Sequence, residues 1–207
     1  MWIGACGTDH APQQLPLSYD GPADQVITVV ADHPDATTAT VLAWDRVPGG
    51  WRPALGPAPA RVGADGIGPA SEIDSRTPVG TWSLTEAFGY QSRDDLRLPY
   101  RHIGTSDWWV SDVSSPLYNT YYHCDSGTCP FDEDASENLG RAGFVYDQAV
   151  VIDYNRSPAI PGAGSAFFLH NTNDRPTAGC VAIPAANLRA IMRWLDPARH
   201  PVIAIGA

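Results

Sequence analysis

The sequence contains no lysine. All 13 of its basic residues are arginine, and they face 23 Asp and Glu residues, which gives a formal net charge of −10. The absence of lysine excludes Schiff-base catalysis and lysine general bases. The acidic balance argues against nucleic acid as a partner, because affinity for nucleic acid comes from neutralising its phosphates.

The chain also lacks any run of about 20 apolar residues, which is the length that a membrane-spanning helix requires. The first residues have no basic region followed by a long apolar stretch, as a secretory signal would. Residues 3–6, Ile-Gly-Ala-Cys, nevertheless resemble the end of a bacterial lipoprotein signal, which makes Cys6 a lipidation candidate. An incidental thiol is the alternative. We interpret residues 1–23 as an N-terminal tail or lipoprotein-like tether, and expect a membrane contact only through such an anchor.

Cysteine is scarce, with four residues in the chain. Cys124 and Cys129 flank a Ser-Gly-Thr turn, which suits a small disulfide-closed loop and implies an oxidising compartment. His123 adds a zinc-ligand type, but this spacing supplies fewer than the four ligands of a structural zinc site. We therefore favour a disulfide over a metal and expect no metal or cofactor. Cys180 is then left as an unpaired thiol that calls for an explanation.

Proline and glycine are abundant, with 19 residues each, which favours many turns and short strands. Apolar positions at helical spacing after Pro184 predict one amphipathic helix that ends at Pro197. Strands are predicted at 25–31, 38–44, 51–62, 80–84, 143–154, 165–170, 180–183 and 202–205. The prolines within 51–62 indicate an edge strand. The fold class is therefore mostly β with one clear C-terminal helix, in one domain over residues 24–207.

A long polar and aromatic stretch at about 91–143 predicts a loop-rich insertion over one face of the domain. We expect a short helix near residues 136–139. Trp108 and Trp109 either line a groove for a glycan or peptide or pack the insertion. Glu137 is interpreted as a cap or a solvated charge.

The candidate chemistry lies in two neighbouring predicted strands. His170 ends one strand and Cys180 begins the next, with a nine-residue loop, 171–179, between them. Adjacent strands lie about 4.8 Å apart, so imidazole and thiol can come within reach, as an activated nucleophile requires. Gly179 would let the backbone turn so that its N–H and that of Cys180 face an oxyanion. The alternative is a small buried Cys180 and a structural His170.

Three short motifs resemble those of a known protein family. They are Leu-His-Asn at 169–171, Thr-Ala-Gly-Cys-Val at 177–181 and Thr-Pro-Val-Gly-Thr at 77–81. Together they resemble the YkuD-type L,D-transpeptidase family over about residues 60–206, which implies a YkuD-like β-sandwich. Many family members carry a second histidine where Ala178 stands, so His170 would be the only base.

The resemblance implies that the Cys180 thiolate attacks a peptidoglycan stem peptide, forms a thioester and passes the acyl group to the amine of another stem in a 3→3 cross-link. Water as acceptor would make the protein an L,D-carboxypeptidase. Carbapenem-type β-lactams would be covalent inhibitors, and the protein would be extracytoplasmic and wall-associated. The candidate substrate-side residues are Thr177, Asn171, Ala178, Arg76 and Trp109, with Arg101 and Arg141 as further candidates to hold carboxylates.

Two other functional classes stay open at this point. A papain-like amidase would place its cysteine before its histidine, whereas here His170 precedes Cys180. A non-catalytic, wall-binding lipoprotein could keep the same fold without turnover.

Overall fold

The computed structural model describes residues 11–207, so the lipidation candidate Cys6 lies outside the described residues. The first eight strands are β1 Gln25–Val30, β2 Thr38–Val47, β3 Gly50–Arg61, β4 Ile67–Gly68, β5 Thr77–Pro78, β6 Gly80–Ser83, β7 Ala87–Gly89 and β8 Tyr100–His102. The others are β9 Asp107–Trp109, β10 Tyr121–His123, β11 Glu137–Asn138, β12 Ala149–Val151, β13 Phe168–Asn171, β14 Val181–Ile183 and β15 Val202–Gly206. Helix α1 spans Ala185–Trp194, and 3-10 turns occupy Leu139–Arg141, Gly143–Tyr146 and Pro197–Arg199.

Ten strands form one curled sheet in the order β6-β15-β1-β2-β3-β14-β13-β12-β7-β8. Most neighbours are antiparallel, but β1 and β15, β7 and β8, and β13 and β14 run parallel. Cys180 immediately precedes β14, and the register of this parallel pair places it level with Phe168, two residues before His170. The predicted mostly β, YkuD-like architecture with one helix is confirmed.

Strand β3 shows how the sheet tolerates its prolines. The strand pairs with β2 along its length, but it meets β14 only where Arg61 lies opposite Ala182. Over residues 50–60 its other side therefore needs few N–H donors, and proline lacks that donor. The edge character predicted from the prolines holds over most of this strand, although its last residue joins the interior of the sheet.

Helix α1 follows Pro184 and buries one apolar face. Leu188, Ile191 and Met192 are each no more than 3% exposed, and they pack in the main core with Leu195. Their spacing of three and four residues places them on one side of the helix, as the sequence predicted. The helix covers strands β13 and β3 and so supports the strand that carries His170.

The insertion is more ordered than the sequence indicated. It contains a three-stranded sheet in the order β10-β9-β11, and Cys124 and Cys129 are joined by the predicted disulfide. The short helix expected near 136–139 is wrong in part, because Glu137–Asn138 is a strand and the turn begins at Leu139. The single strand predicted over 143–154 is also wrong. Its first residues form a 3-10 turn, and only Ala149–Val151 enter the sheet.

Part of the expected tail packs on the domain. Gln13 and Trp51 exchange two backbone hydrogen bonds, of 2.8 and 2.9 Å, and the Tyr19 ring lies edge-on to Trp51. Ala23 is buried in the same small apolar cluster. Within residues 11–207, no helix combines the length and apolarity that crossing a bilayer would demand.

Candidate active site

The pairing of β13 with β14 sets the position of the two candidate catalytic residues. Leu169 lies opposite Val181, and His170 lies opposite Ala182. Phe168 and His170 are two residues apart in one strand and so point to the same face of the sheet. Cys180 belongs to the apolar cluster that contains Phe168, which places its side chain on that face as well.

The Cys180 thiol is free, 8% exposed and held by two backbone groups. The Phe168 N–H donates to Sγ at 3.3 Å, and the thiol donates to the Ala166 carbonyl at the same distance. Ala166 has φ of +56°, in the left-handed region that non-glycine residues rarely occupy. Strained backbone of this kind concentrates at functional sites.

Burial raises the pKa of the Cys180 thiol, and the negative charge of Glu137 raises it further. The Phe168 N–H and the neighbouring Tyr146 hydroxyl act in the opposite direction. The net direction is upward, so the resting form at neutral pH is the thiol. Attack by this sulfur therefore requires a base to take its proton.

His170 is oriented by its neighbour in the chain. Its Nδ1 lies 2.8 Å from the Asn171 carbonyl oxygen, which can only accept, so Nδ1 carries the proton and Nε2 has the free lone pair. Burial lowers the pKa of His170, although the Asn171 carbonyl acts against that shift. The imidazole is therefore neutral at neutral pH, in the form that a general base requires.

Tyr146 packs near both His170 and Cys180. Its ring lies edge-on to the His170 imidazole, with centroids 5.4 Å apart, and its hydroxyl donates to Glu137 Oε2 at 2.7 Å. Among the described residues, no direct hydrogen bond joins His170 to Cys180. The structure brings the two side chains to one face of the sheet, with Cys180 level with Phe168 and His170 two residues further along the same strand.

Cys180 lies in the wall of a cavity of about 420 Å³. Serine and carboxylate side chains provide most of its polar surface. The lining residues are Ser71, Glu72, Ile73, Asp74, Ser75, Ser111, Asp134, Ala135, Ser136, Glu137, Ser165, Ala166, Phe167, Ala178 and Cys180. Cys180 is therefore part of the cavity wall although only 8% of its surface is exposed.

Two threonine hydroxyls fix the carbonyl of Cys180. Thr177 Oγ1 donates to it at 2.6 Å and Thr77 Oγ1 at 3.3 Å. Thr77 is fully buried and also accepts from the Gly63 N–H at 2.8 Å. The threonine of the Thr-Pro motif thus helps to hold the backbone of Cys180.

Gly179 has φ of +140°, which favours glycine. A Cβ there would lie 2.6 Å from the Phe167 ring. Its N–H donates to Thr177 Oγ1 at 3.1 Å, so in this conformation it is not the free oxyanion donor expected from the sequence. Gly179 contributes the turn into Cys180.

The other sequence-predicted residues divide into two groups. Ala178 lines the cavity. Asn171 is buried and does not line it, and its amide donates to the Phe144 carbonyl at 3.0 Å. Arg76 does not line the cavity; its guanidinium lies 3.9 Å from Asp35. Trp109 is 2% exposed and donates to Asn119 at 2.8 Å. Substrate contacts by Arg76 and Trp109 are therefore not supported, because one side chain points elsewhere and the other fills the core.

The remaining candidates also lie outside this site. The Arg101 guanidinium stacks 3.8 Å from the centre of the Tyr121 ring, and Arg141 is absent from the cavity wall. The sulfurs of Cys124 and Cys129 are bonded to each other and so are not thiolate ligands for zinc. Sequence reasoning missed Glu137 and Tyr146 at this site, because no local motif marks either residue.

A comparison with protein-family models gives a match to the L,D-transpeptidase catalytic domain, YkuD, over residues 27–203. This match covers most of the chain. The protein belongs to the YkuD family. Neither the search of curated proteins nor that of solved structures gives a significant match. This family is one of L,D-transpeptidase-type acyltransferases, which disfavours the papain-like amidase interpretation.

Proposed function

We propose that this YkuD protein is a peptidoglycan L,D-transpeptidase that works through a thioester on Cys180. One observation carries the proposal: a free thiol lies in a cavity wall, on the sheet face that also carries a neutral His170 with its Nε2 lone pair available. A purely structural cysteine would have no need of a cavity, an oriented histidine and a doubly held carbonyl.

In the first half-reaction, His170 Nε2 takes the thiol proton as Sγ attacks the carbonyl carbon of the donor peptide. The bond to the terminal residue breaks, and His170 returns the proton to the leaving amine. The hydroxyls of Thr77 and Thr177 hold the Cys180 backbone in place during this step. An amine of a second stem then attacks the thioester, which gives the 3→3 cross-link.

The site of action follows from the substrate. A protein that takes its acyl group from peptidoglycan peptides would work outside the cytoplasmic membrane. The Cys124–Cys129 disulfide would also persist there. Lipid attachment at Cys6 would anchor it there. Intact mass of the natively expressed protein tests that attachment, because absence of a diacylglyceryl adduct removes the anchor.

The direct test is covalent labelling with a carbapenem, a mimic of the acyl donor. We expect one adduct by intact mass, mapped by peptide sequencing to Cys180. Cys180→Ala should abolish it while changing the free energy of unfolding by only about 1 kcal/mol. Absence of an adduct, with Cys180 alkylating no faster than a peptide thiol, would instead favour a non-catalytic wall-binding protein.

The second candidate function is L,D-carboxypeptidase activity, with water as the acceptor. The observation that favours this second function is that the cavity beside Cys180 is open to solvent, so that water can enter. Incubation with tetrapeptide stems separates the two functions, since cross-linked dimers report transpeptidation and tripeptides alone report hydrolysis.

A further inference from the structure

The cavity beside Cys180 is acidic. Four carboxylates line it, and no arginine is among the described residues that form its wall. The four carboxylates belong to Glu72, Asp74, Asp134 and Glu137. A positively charged group that enters is attracted to these carboxylates, whereas a negatively charged group is repelled.

Glu137 differs from the other three in its placement. Its backbone pairs with Trp109 across β11 and β9, and its Oε2 accepts from the buried Tyr146 hydroxyl. It is partly buried, as are Glu72 and Asp74, whereas Asp134 is exposed, and of the four it alone lies in a strand. The carboxylate is thus fixed by a strand on one side and an aromatic side chain on the other.

The surroundings also set the proton affinity of this group. Burial raises the pKa of Glu137, and the charge of Glu72 raises it further, while Tyr146 lowers it. The two oxygens of Glu72 are themselves occupied, by the hydroxyls of Tyr118 and Ser165. A carboxylate with raised pKa is a stronger base than an exposed one.

We propose that Glu137 is the general base for the acyl acceptor and that it selects a primary amine over water. The proposal rests on the proposed function, and it assigns a role that His170 does not cover. The acceptor arrives as an ammonium ion, because free alkylamines are protonated at neutral pH. It must lose a proton before its nitrogen can attack.

The steps balance as follows. Glu137 binds the ammonium and takes one proton, which leaves a neutral amine. The amine nitrogen attacks the thioester carbonyl carbon, and the carbon–sulfur bond of Cys180 breaks. His170 takes the second nitrogen-bound proton and passes it to the sulfur, which restores the thiol. Glu137 then releases its proton to solvent through the cavity.

Glu137→Gln tests the assignment, since the amide is the same size and can still accept from Tyr146. The full-length variant is acylated by a tetrapeptide donor in the presence of a stem-peptide amine, and amide and hydrolysis products are counted by mass spectrometry. We expect the ratio of aminolysis to hydrolysis to fall about a hundredfold. We expect Cys180 acylation to be at least as fast as in the wild type, because a charge that disfavours the thiolate is gone. Asp94→Asn removes one exposed charge elsewhere and should change neither rate.

Tyr146→Phe provides a second variant with the ring retained. Without the hydroxyl the pKa of Glu137 rises, so the pH at which aminolysis reaches half its maximum should move upward. A merely structural role for Glu137 would leave that midpoint in place.

The outcomes separate the two claims. Normal Cys180 acylation with an unchanged product ratio in Glu137→Gln overturns the role of Glu137 and leaves the transpeptidase. Equal loss of both half-reactions in a folded Glu137→Gln protein also overturns it. Absence of any acylation in the wild type overturns the proposed function, and the acceptor base with it.

Discussion

The side-chain hydroxyl of Thr77 donates to the backbone carbonyl of Cys180, at 3.3 Å, across 103 positions of the chain. The same oxygen accepts from the Gly63 N–H at 2.8 Å, and the side chain has no exposed surface. One buried hydroxyl therefore connects β5, before the insertion, to the backbone of Cys180. The threonine of the Thr-Pro motif therefore stabilises the backbone position of Cys180.

Thr77→Val should destabilise the protein and slow acylation. Valine has nearly the same shape, but it leaves the Gly63 N–H unpaired in the interior, which costs about 1–3 kcal/mol of unfolding free energy. Chemical denaturation measures the stability, and the rate of carbapenem adduct formation measures the effect on Cys180. Thr77→Ser keeps the hydroxyl and should retain most of both. Better stability and labelling in Thr77→Val than in Thr77→Ser would mean that the methyl group, and not the hydrogen bonds, matters at this position.

Gly179→Ala should disturb the site more than its size suggests. The backbone there has φ of +140°, and the new Cβ would meet Phe167 at 2.6 Å and the Arg76 carbonyl at 3.0 Å. Strained positions of this kind cost about 1–3 kcal/mol. We expect a lower melting temperature and a loss of carbapenem labelling at Cys180. Gly127→Ala is a matched control, because it also replaces a glycine with positive φ but meets no atom within 4 Å. Labelling retained in a fully stable Gly179→Ala protein would contradict this role.

Much of the fold could be predicted because local pattern and burial agree. Strand β1 and helix α1 have the continuous apolar run and the three-to-four spacing that their environments require. The placement of His170 and Cys180 on paired strands could also be predicted, since a short loop joins them. These features depend on residues close together in the chain.

The residues whose structure differs from the prediction depend on contacts with residues that are distant in the chain. Phe144, Val145 and Tyr146 have high strand propensity, yet they form a 3-10 turn, in which Tyr146 reaches Glu137. Tertiary contact overrides local preference there. Glu137 itself looks like any surface acid until β11 pairs with β9, 28 positions upstream, and turns it into the cavity. No pattern in a single sequence specifies that pairing.

The pH dependence of acylation should reflect a histidine whose pKa is lowered. Burial disfavours the imidazolium, so His170 takes up a proton only below the ordinary histidine pKa of about 6.5. Since only the neutral imidazole can take the thiol proton, the acidic limb of the acylation rate should have its midpoint below that value. The same shift predicts that stability falls as pH drops below about 6.5, because the unfolded chain then binds the proton and the folded chain does not. Rates of carbapenem adduct formation between about pH 4.5 and 8, with denaturation at each pH, measure both effects.

His170→Gln should abolish acylation of Cys180. It should also reduce the loss of unfolding free energy that is expected below about pH 6.5. His102→Gln, at an exposed histidine in β8, is the control and should leave the limb where it is. An acidic limb at or above about 6.5 in the wild type would mean that His170 is protonated more readily than its burial allows. Acylation that persists in His170→Gln would mean that His170 is not the base for Cys180.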